Sequence, residues 1–167
     1  MSLAEGDTAP DFEMQAAGGR IVSLSGYKGK PFILYFYPKA DTPGCTKEAC
    51  AFEEASPHLE QIGLDVIGVS PDKIKPIEKF ATKYGLTFPL ASDEGHVVAE
   101  RYGTWVEKSM YGRKYMGMER STFLIDAGGK VLKVWRKVSV TGHADDVMKA
   151  ARAAKLGISK WCCLASG

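Results

Sequence analysis

Six consecutive apolar residues, Phe32-Ile33-Leu34-Tyr35-Phe36-Tyr37, run into Pro38 and stop. No polar residue interrupts them, so both faces of the segment need cover. Their length and aromatic content favour a buried strand. A second buried strand is expected at Val66-Ile67-Gly68-Val69, ended by Ser70-Pro71-Asp72. Ser70 as N-cap and Pro71 at the first helical position should then open a helix. In it Ile74, Ile77, Ala81 and Tyr84 recur along one face. Upstream, Phe12 to Met14 and Ile21 to Leu24 flank Gly18-Gly19, which suggests a short N-terminal β-hairpin. Downstream, Thr122 to Ile125 and Val131 to Trp135 form another hairpin around the turn Asp126 to Lys130. Val147, Ala150, Ala151 and Ala154 give a closing helix from Ala144 to Leu156. This order implies an α/β protein, a mixed central sheet with helices on its faces.

The chain of 167 residues suits one domain, placed at 1–156, and shows neither an internal repeat nor a linker. Residues 157–167 lack periodicity and are expected to form a flexible tail outside the core. Hydrophobic residues make up 45% and charged residues 25%, the balance of a soluble globular protein, which argues against disorder. Lys and Arg number 22 against 20 Asp and Glu, so nothing calls for a nucleic-acid partner. No apolar run approaches the roughly 20 residues of a membrane helix. The N-terminus, Met1 to Asp7, has no basic or apolar leader region, so a cytoplasmic protein without membrane attachment is expected.

Four cysteines are too few for a disulfide scaffold, and they fall as two pairs, Cys45 with Cys50 and Cys162 with Cys163. Cys45 follows the loop Pro38-Lys39-Ala40-Asp41-Thr42-Pro43-Gly44, which leaves the carboxyl end of the buried strand. A helix starts near Gly44 or Cys45, because Ala49, Phe52, Leu59 and Ile62 carry an apolar stripe from there, and Ser56-Pro57 is a candidate break. Carboxyl ends of strands are where ligands bind in open α/β sheets. In the first helical turn a thiol meets unpaired N–H groups, which lower its pKa from about 8.5 toward roughly 3.5–7.5 and expose a thiolate nucleophile. The alternative is a buried cysteine that only fills space.

Cys50 does not complete a Cys-x-x-Cys pair. From ideal helix geometry its Cα lies roughly 8–9 Å from that of Cys45, with the two side chains about 140° apart. A disulfide needs Cα atoms closer than about 7 Å. A bond between them therefore requires the first turn to unwind. Cys50 is otherwise a small residue packed beside Phe52.

The segment Phe36 to Glu48, with Pro38, Thr42 and Cys45 at Pro-x-x-x-Thr-x-x-Cys spacing, resembles the active site of peroxiredoxins of the bacterioferritin comigratory protein (PrxQ) subfamily. The likeness continues through Tyr111 to Asp126 and Gly142-His143, and covers roughly residues 5 to 155. It implies a thioredoxin-like fold and a monomer. It implies a thiol peroxidase that reduces hydrogen peroxide and alkyl hydroperoxides, in which Cys45 attacks the peroxide and becomes sulfenic acid. Cys50 then resolves it to a disulfide, which thioredoxin or a similar dithiol reduces. Cleaving the O–O bond builds negative charge on the departing oxygen, so fixed donors aimed there lower the barrier. Thr42 is near enough in sequence to serve. By the same resemblance Arg120 holds the thiolate and orients the peroxide, and Glu48 orients Arg120. Pro38, Pro43 and Gly44 shape the pocket. No cofactor or metal is implied, because sulfur carries the redox chemistry.

Competing signals are weaker. Gly112 to Gly117 has Walker-like glycine spacing, but Met118 stands where Lys is required. His58, His96 and His143 are scattered and give no zinc spacing with the cysteines; His143, after Gly142, is expected to cap a helix. The aromatic and basic residues from Trp105 to Met118 suggest a pocket wall or an exposed rim. A protein disulfide reductase is the rival enzyme, and the missing Cys-x-x-Cys counts against it. Cys162-Cys163 departs from the family pattern and is open to three readings: an incidental extension, an auxiliary thiol pair, or an acylation or metal site.

Overall fold

The computed structural model describes residues 3–154, and in it the uninterrupted apolar run lies inside a seven-stranded sheet. The chain opens with strands β1 (Glu13–Ala16) and β2 (Arg20–Ser23), then strand β3 (Phe32–Phe36), helix α1 (Pro43–Gln61) and strand β4 (Asp65–Ser70). Helix α2 (Ile74–Tyr84), strand β5 (Leu90–Ser92) and helix α3 (Val97–Arg101) follow. Strands β6 (Trp105–Met110), β7 (Arg113–Met118), β8 (Ser121–Ile125) and β9 (Val131–Trp135) lead to helix α4 (His143–Ala153). The large sheet has the order β2-β1-β5-β4-β3-β8-β9, and β6 and β7 make a separate two-stranded ribbon. Strands β3, β4 and β5 pair in parallel, whereas β8 lies antiparallel to β3.

Alternation along β3 feeds two cores. Ile33, Tyr35 and Tyr37 join Phe52, Leu59, Phe80 and Val147 on the face covered by α1, α2 and α4. Phe32, Leu34 and Phe36 join Phe12, Val98, Tyr102 and Phe123 on the other. Each such side chain contributes about 1.5–3 kcal/mol on full burial, so β3 is the mechanical centre of the domain. Gly68, opposite Tyr35 in β4, is required by volume rather than by backbone conformation. A Cβ there would sit 2.9 Å from the Tyr35 ring and 2.8 Å from Leu90.

Four local expectations need correction. Helix α1 runs through Pro57 without a break. Pro57 lies on the exposed side of the helix, where water can serve the Glu53 carbonyl that loses its partner. Ser70 does not cap α2, which begins at Ile74 after Lys73. Its hydroxyl instead donates to the Asp72 carboxylate at 2.9 Å. The buried side of α2 is centred on Ile77 and Phe80, with Ile74, Ala81 and Tyr84 half-buried around them. His143 is not the cap of α4, since Gly142 occupies that position in a left-handed conformation. The His143 ring is buried against Phe52 and Trp135, and its Nε2 hydrogen-bonds the Thr122 hydroxyl at 2.7 Å, docking α4 on β8. Residues 155–167, including Cys162 and Cys163, lie outside the described residues.

Candidate active site

Beyond β3 the chain crosses a short loop into α1. Thr42 is the extended residue before the helix, and Pro43 is its first residue, where a missing N–H costs nothing. The loop is pinned from two sides. The Ala40 N–H donates to Asp72 at 2.7 Å, and Asp41, at a left-handed φ of 60°, accepts from the Tyr84 hydroxyl at 2.8 Å and Lys83 Nζ at 3.0 Å. The first helical bond runs from the Thr46 N–H to the Thr42 carbonyl at 2.8 Å. The Gly44 and Cys45 N–H groups therefore belong to the unpaired helix end, which favours negative charge beside it.

Cys45 is buried, with 1% of its surface exposed. Arg120 Nη2 donates to its Sγ at 3.2 Å, and Arg120 Nη1 donates to the buried Glu48 carboxylate one helical turn on. The β3–β8 register explains the meeting. Phe36 pairs with Ser121, so Arg120, just before β8, stands beyond the end of β3 where the chain turns toward Cys45. Gly44 makes room for it: a Cβ there would be 3.3 Å from Arg120 Nη2. Burial lifts the Glu48 carboxyl to about 7, although Arg120 pulls it down. Burial alone would lower the Arg120 pKa, but Glu48 and Cys45 outweigh it and hold the guanidinium charged.

Thr42, Pro38 and Pro43 lie on the approach to α1 and at its start. The Thr42 hydroxyl donates to the Lys39 carbonyl at 2.9 Å. Its hydrogen is thus committed, which leaves the oxygen lone pairs to accept. Pro38 is half-buried, whereas Pro43 is exposed at the helix start. The arrangement places a buried free thiol, a forked cation and an acceptor at the start of one helix.

Residues 5–134 match the model of the AhpC/TSA family. The chain belongs to that family. It is 44% identical over 152 residues to Peroxiredoxin Bcp of Bacillus subtilis, covering 91% of this chain and 97% of the relative. It is 43% identical to Peroxiredoxin Bcp of Escherichia coli K12, covering 87% and 94%. A structure of Xanthomonas campestris Peroxiredoxin Q superimposes with a TM-score of 0.83 at 40% identity, covering 86% of this chain and 91% of that one. A cysteine-to-serine variant of Xylella fastidiosa PrxQ gives 0.87 at 37% identity, covering 92% and 98%. The fold is thioredoxin-like, and the chain is a thiol-dependent peroxidase of the Bcp/PrxQ kind.

In this peroxiredoxin Cys45 and Cys50 are both free and both lie on the intact α1, with Cys50 half-buried. Beneath them the Tyr35 hydroxyl and Glu48 Oε2 are buried with no hydrogen-bond partner among the described residues. The sequence offered no hint of the Tyr35 hydroxyl, because Tyr35 sits inside an apolar run. The Asp41–Tyr84 link was equally hidden, since its partners lie 43 residues apart. Among the described residues no group of three or more His, Cys, Asp and Glu side chains could hold a metal, and no helix is long and apolar enough to cross a membrane.

Proposed function

We propose that Cys45 is the peroxidatic cysteine of this thiol peroxidase, on the strength of one observation above all: its buried sulfur accepts from Arg120, which Glu48 anchors. The Cys45 thiolate attacks one oxygen of the hydroperoxide while the O–O bond breaks. The sulfur becomes sulfenic acid, and the departing oxygen leaves as water or an alcohol. Arg120 steadies the thiolate and the developing charge, as a preorganised donor should. The Thr42 oxygen accepts the O–H of the bound peroxide and fixes which oxygen faces the sulfur. Pro38, Pro43 and Gly44 form the rim.

Cys50 is the resolving cysteine. The first turn of α1 unwinds, the Cys50 thiol attacks the Cys45 sulfenic acid, and water leaves as the disulfide forms. Thioredoxin or a similar dithiol returns both thiols. Hydrogen peroxide and alkyl hydroperoxides are the substrates; the Xanthomonas campestris Bacterioferritin Comigratory Protein, 39% identical, has alkyl peroxide reduction activity. The protein acts as a cytoplasmic monomer in antioxidant defence, with no cofactor or metal, no nucleic acid and no membrane.

Coupling thioredoxin and its reductase to NADPH tests this. Wild type should oxidise NADPH in response to peroxide, and Cys45→Ser should not. Peroxide-treated Cys50→Ser should stop at a trappable sulfenic acid, and a stoichiometric intramolecular disulfide in that variant would move the resolving role elsewhere.

A further inference from the structure

One peptide group in the loop before α1 is gripped at both ends. The Lys39 carbonyl accepts from the Thr42 hydroxyl at 2.9 Å, and the N–H of the same peptide plane, on Ala40, donates to the Asp72 carboxylate at 2.7 Å. A trans peptide is planar, with its C=O and N–H pointing in opposite directions, so fixing the N–H also aims the carbonyl. Asp72 thereby sets where the Thr42 hydrogen points, although it lies 32 residues from Ala40 in sequence. A carboxylate acceptor makes the stronger kind of backbone hydrogen bond, and the peptide it polarises is a better acceptor at its other end.

The sheet brings Asp72 to this peptide. Strands β3 and β4 pair in parallel with Phe36 opposite Val69, and the Tyr37 N–H donates to the Val69 carbonyl at 2.9 Å. The turn after β4 therefore lies beside the loop after β3. Asp72 is half-buried there and is itself held in place. Its Oδ2 also accepts from the buried Ser70 hydroxyl at 2.9 Å, its N–H donates back to that hydroxyl at 3.3 Å, and its carbonyl accepts from the Ser92 hydroxyl at 2.6 Å. The bonds to Ser70 and Ser92 shape its own turn, whereas the bond to Ala40 reaches out of that turn to the loop that carries Thr42. With its one hydrogen held by Lys39, the Thr42 oxygen can only accept. A turned peptide plane would release that hydrogen, and a peroxide O–H would meet a rotating hydroxyl in place of a fixed acceptor.

We propose that Asp72 is a positioning residue for the peroxidase reaction, which holds the Lys39–Ala40 peptide so that Thr42 presents an acceptor to the bound peroxide. The proposal rests on the roles of Cys45 and Thr42 given above. Arg120 acts on the sulfur directly, whereas Asp72 acts through one peptide group and through Thr42 on the orientation of the peroxide.

The rate of Cys45 oxidation by hydrogen peroxide, followed by quenched-flow titration of the remaining thiol, tests this in protein carrying Cys50→Ser, Cys162→Ser and Cys163→Ser. Asp72→Ala should slow that step roughly five- to twentyfold. Alkylation of Cys45 by iodoacetamide, which needs no acceptor at Thr42, should change less than about twofold in the same variant. Asp72→Asn keeps an acceptor oxygen and should restore most of the peroxide rate. With Thr42→Val already in place, adding Asp72→Ala should cost less than about twofold more, because two residues that act as one unit are not additive. Circular dichroism confirms that each variant is folded, and Asp72→Leu replaces Asp72→Ala if the alanine variant is not. A wild-type peroxide rate in the Asp72 variant, an equal fall in alkylation, or full additivity with Thr42→Val overturns the proposal. A wild-type rate in Thr42→Val, or peroxide consumption retained by Cys45→Ser, would instead overturn the reading on which it rests, so the two failures are separable.

Discussion

Arg120 Nη2 lies 3.2 Å from Cys45 Sγ, although 75 residues separate the two in sequence. The guanidinium is forked between that sulfur and the Glu48 carboxylate, a geometry that lysine cannot reproduce with a single ammonium. Arg120→Met and Arg120→Lys should both slow oxidation of Cys45 by peroxide, by roughly 100- to 1,000-fold for the methionine variant. Stopped-flow kinetics of the first oxidation step would show it. A change of less than about threefold in Arg120→Met would remove Arg120 from the reaction.

Two glycines separate activity from stability. Gly44→Ala places its Cβ 3.3 Å from Arg120 Nη2, so the guanidinium must shift while the rest of the helix is undisturbed. Peroxide reactivity should fall with little change in the urea midpoint. Gly68→Ala drives a Cβ within 2.9 Å of the Tyr35 ring and 2.8 Å of Leu90. Overpacking of this kind costs about 1–3 kcal/mol, which urea denaturation would detect directly. Equal stability losses in the two variants would contradict the assignment.

Glu48 and His143 give opposite pH slopes. Burial raises the Glu48 carboxyl from 4.5 to about 7, so the native state holds a proton that the unfolded chain has released. Its contribution to stability is present below 4.5 and is lost as the pH rises through about 7. Burial lowers the His143 imidazole from 6.5 to about 4, so its contribution is present above 6.5 and lost as the pH falls through about 4. Each slope is at most about 1.4 kcal/mol per pH unit, and in wild type they offset one another. Between about pH 4 and about pH 7, Glu48→Gln should gain stability with rising pH more steeply than wild type, and His143→Gln should lose it. Parallel curves for all three proteins would refute the pairing.

Disulfide formation between Cys45 and Cys50 requires the start of α1 to open, because an intact helix keeps residues five apart too far from each other. Oxidation should therefore remove hydrogen-exchange protection from the amides of Thr46 to Cys50. The amides of Phe52 to Gln61, anchored by Phe52 and Leu59 in the core, should stay protected. Cys50→Ser should abolish the change. Uniform protection before and after oxidation would show that the thiols do not pair within this helix.

Much of the architecture was legible because it is written in local periodicity. The run Phe32 to Tyr37 announced a strand covered on both faces, and the spacing of Val147 and Ala151 announced α4. The stripe of Ala49, Phe52, Leu59 and Ile62 put the start of α1 near Gly44 or Cys45, within two residues of Pro43 where it begins. Other elements left weak signals: β5 has three residues and α3 has five, too few to establish a period. The β6–β7 ribbon was missed because its strands are polar and its turn is Tyr111-Gly112, with φ of 52° and 78°. A tyrosine in that conformation is not a turn signal. Pro57 misled in the opposite sense, since an exposed carbonyl tolerates the lost bond.

The sequence alone determined that a cysteine stands at a strand-to-helix turn and that its neighbour five residues on cannot reach it without unwinding. Both follow from chain geometry over a few residues. Tertiary structure decided what surrounds that sulfur. The antiparallel pairing of Phe36 with Ser121 delivers Arg120, and the absence of a side chain at Gly44 admits its guanidinium. Strand register is a relation between distant segments, set by the packing of two cores on one sheet, and no local pattern encodes it.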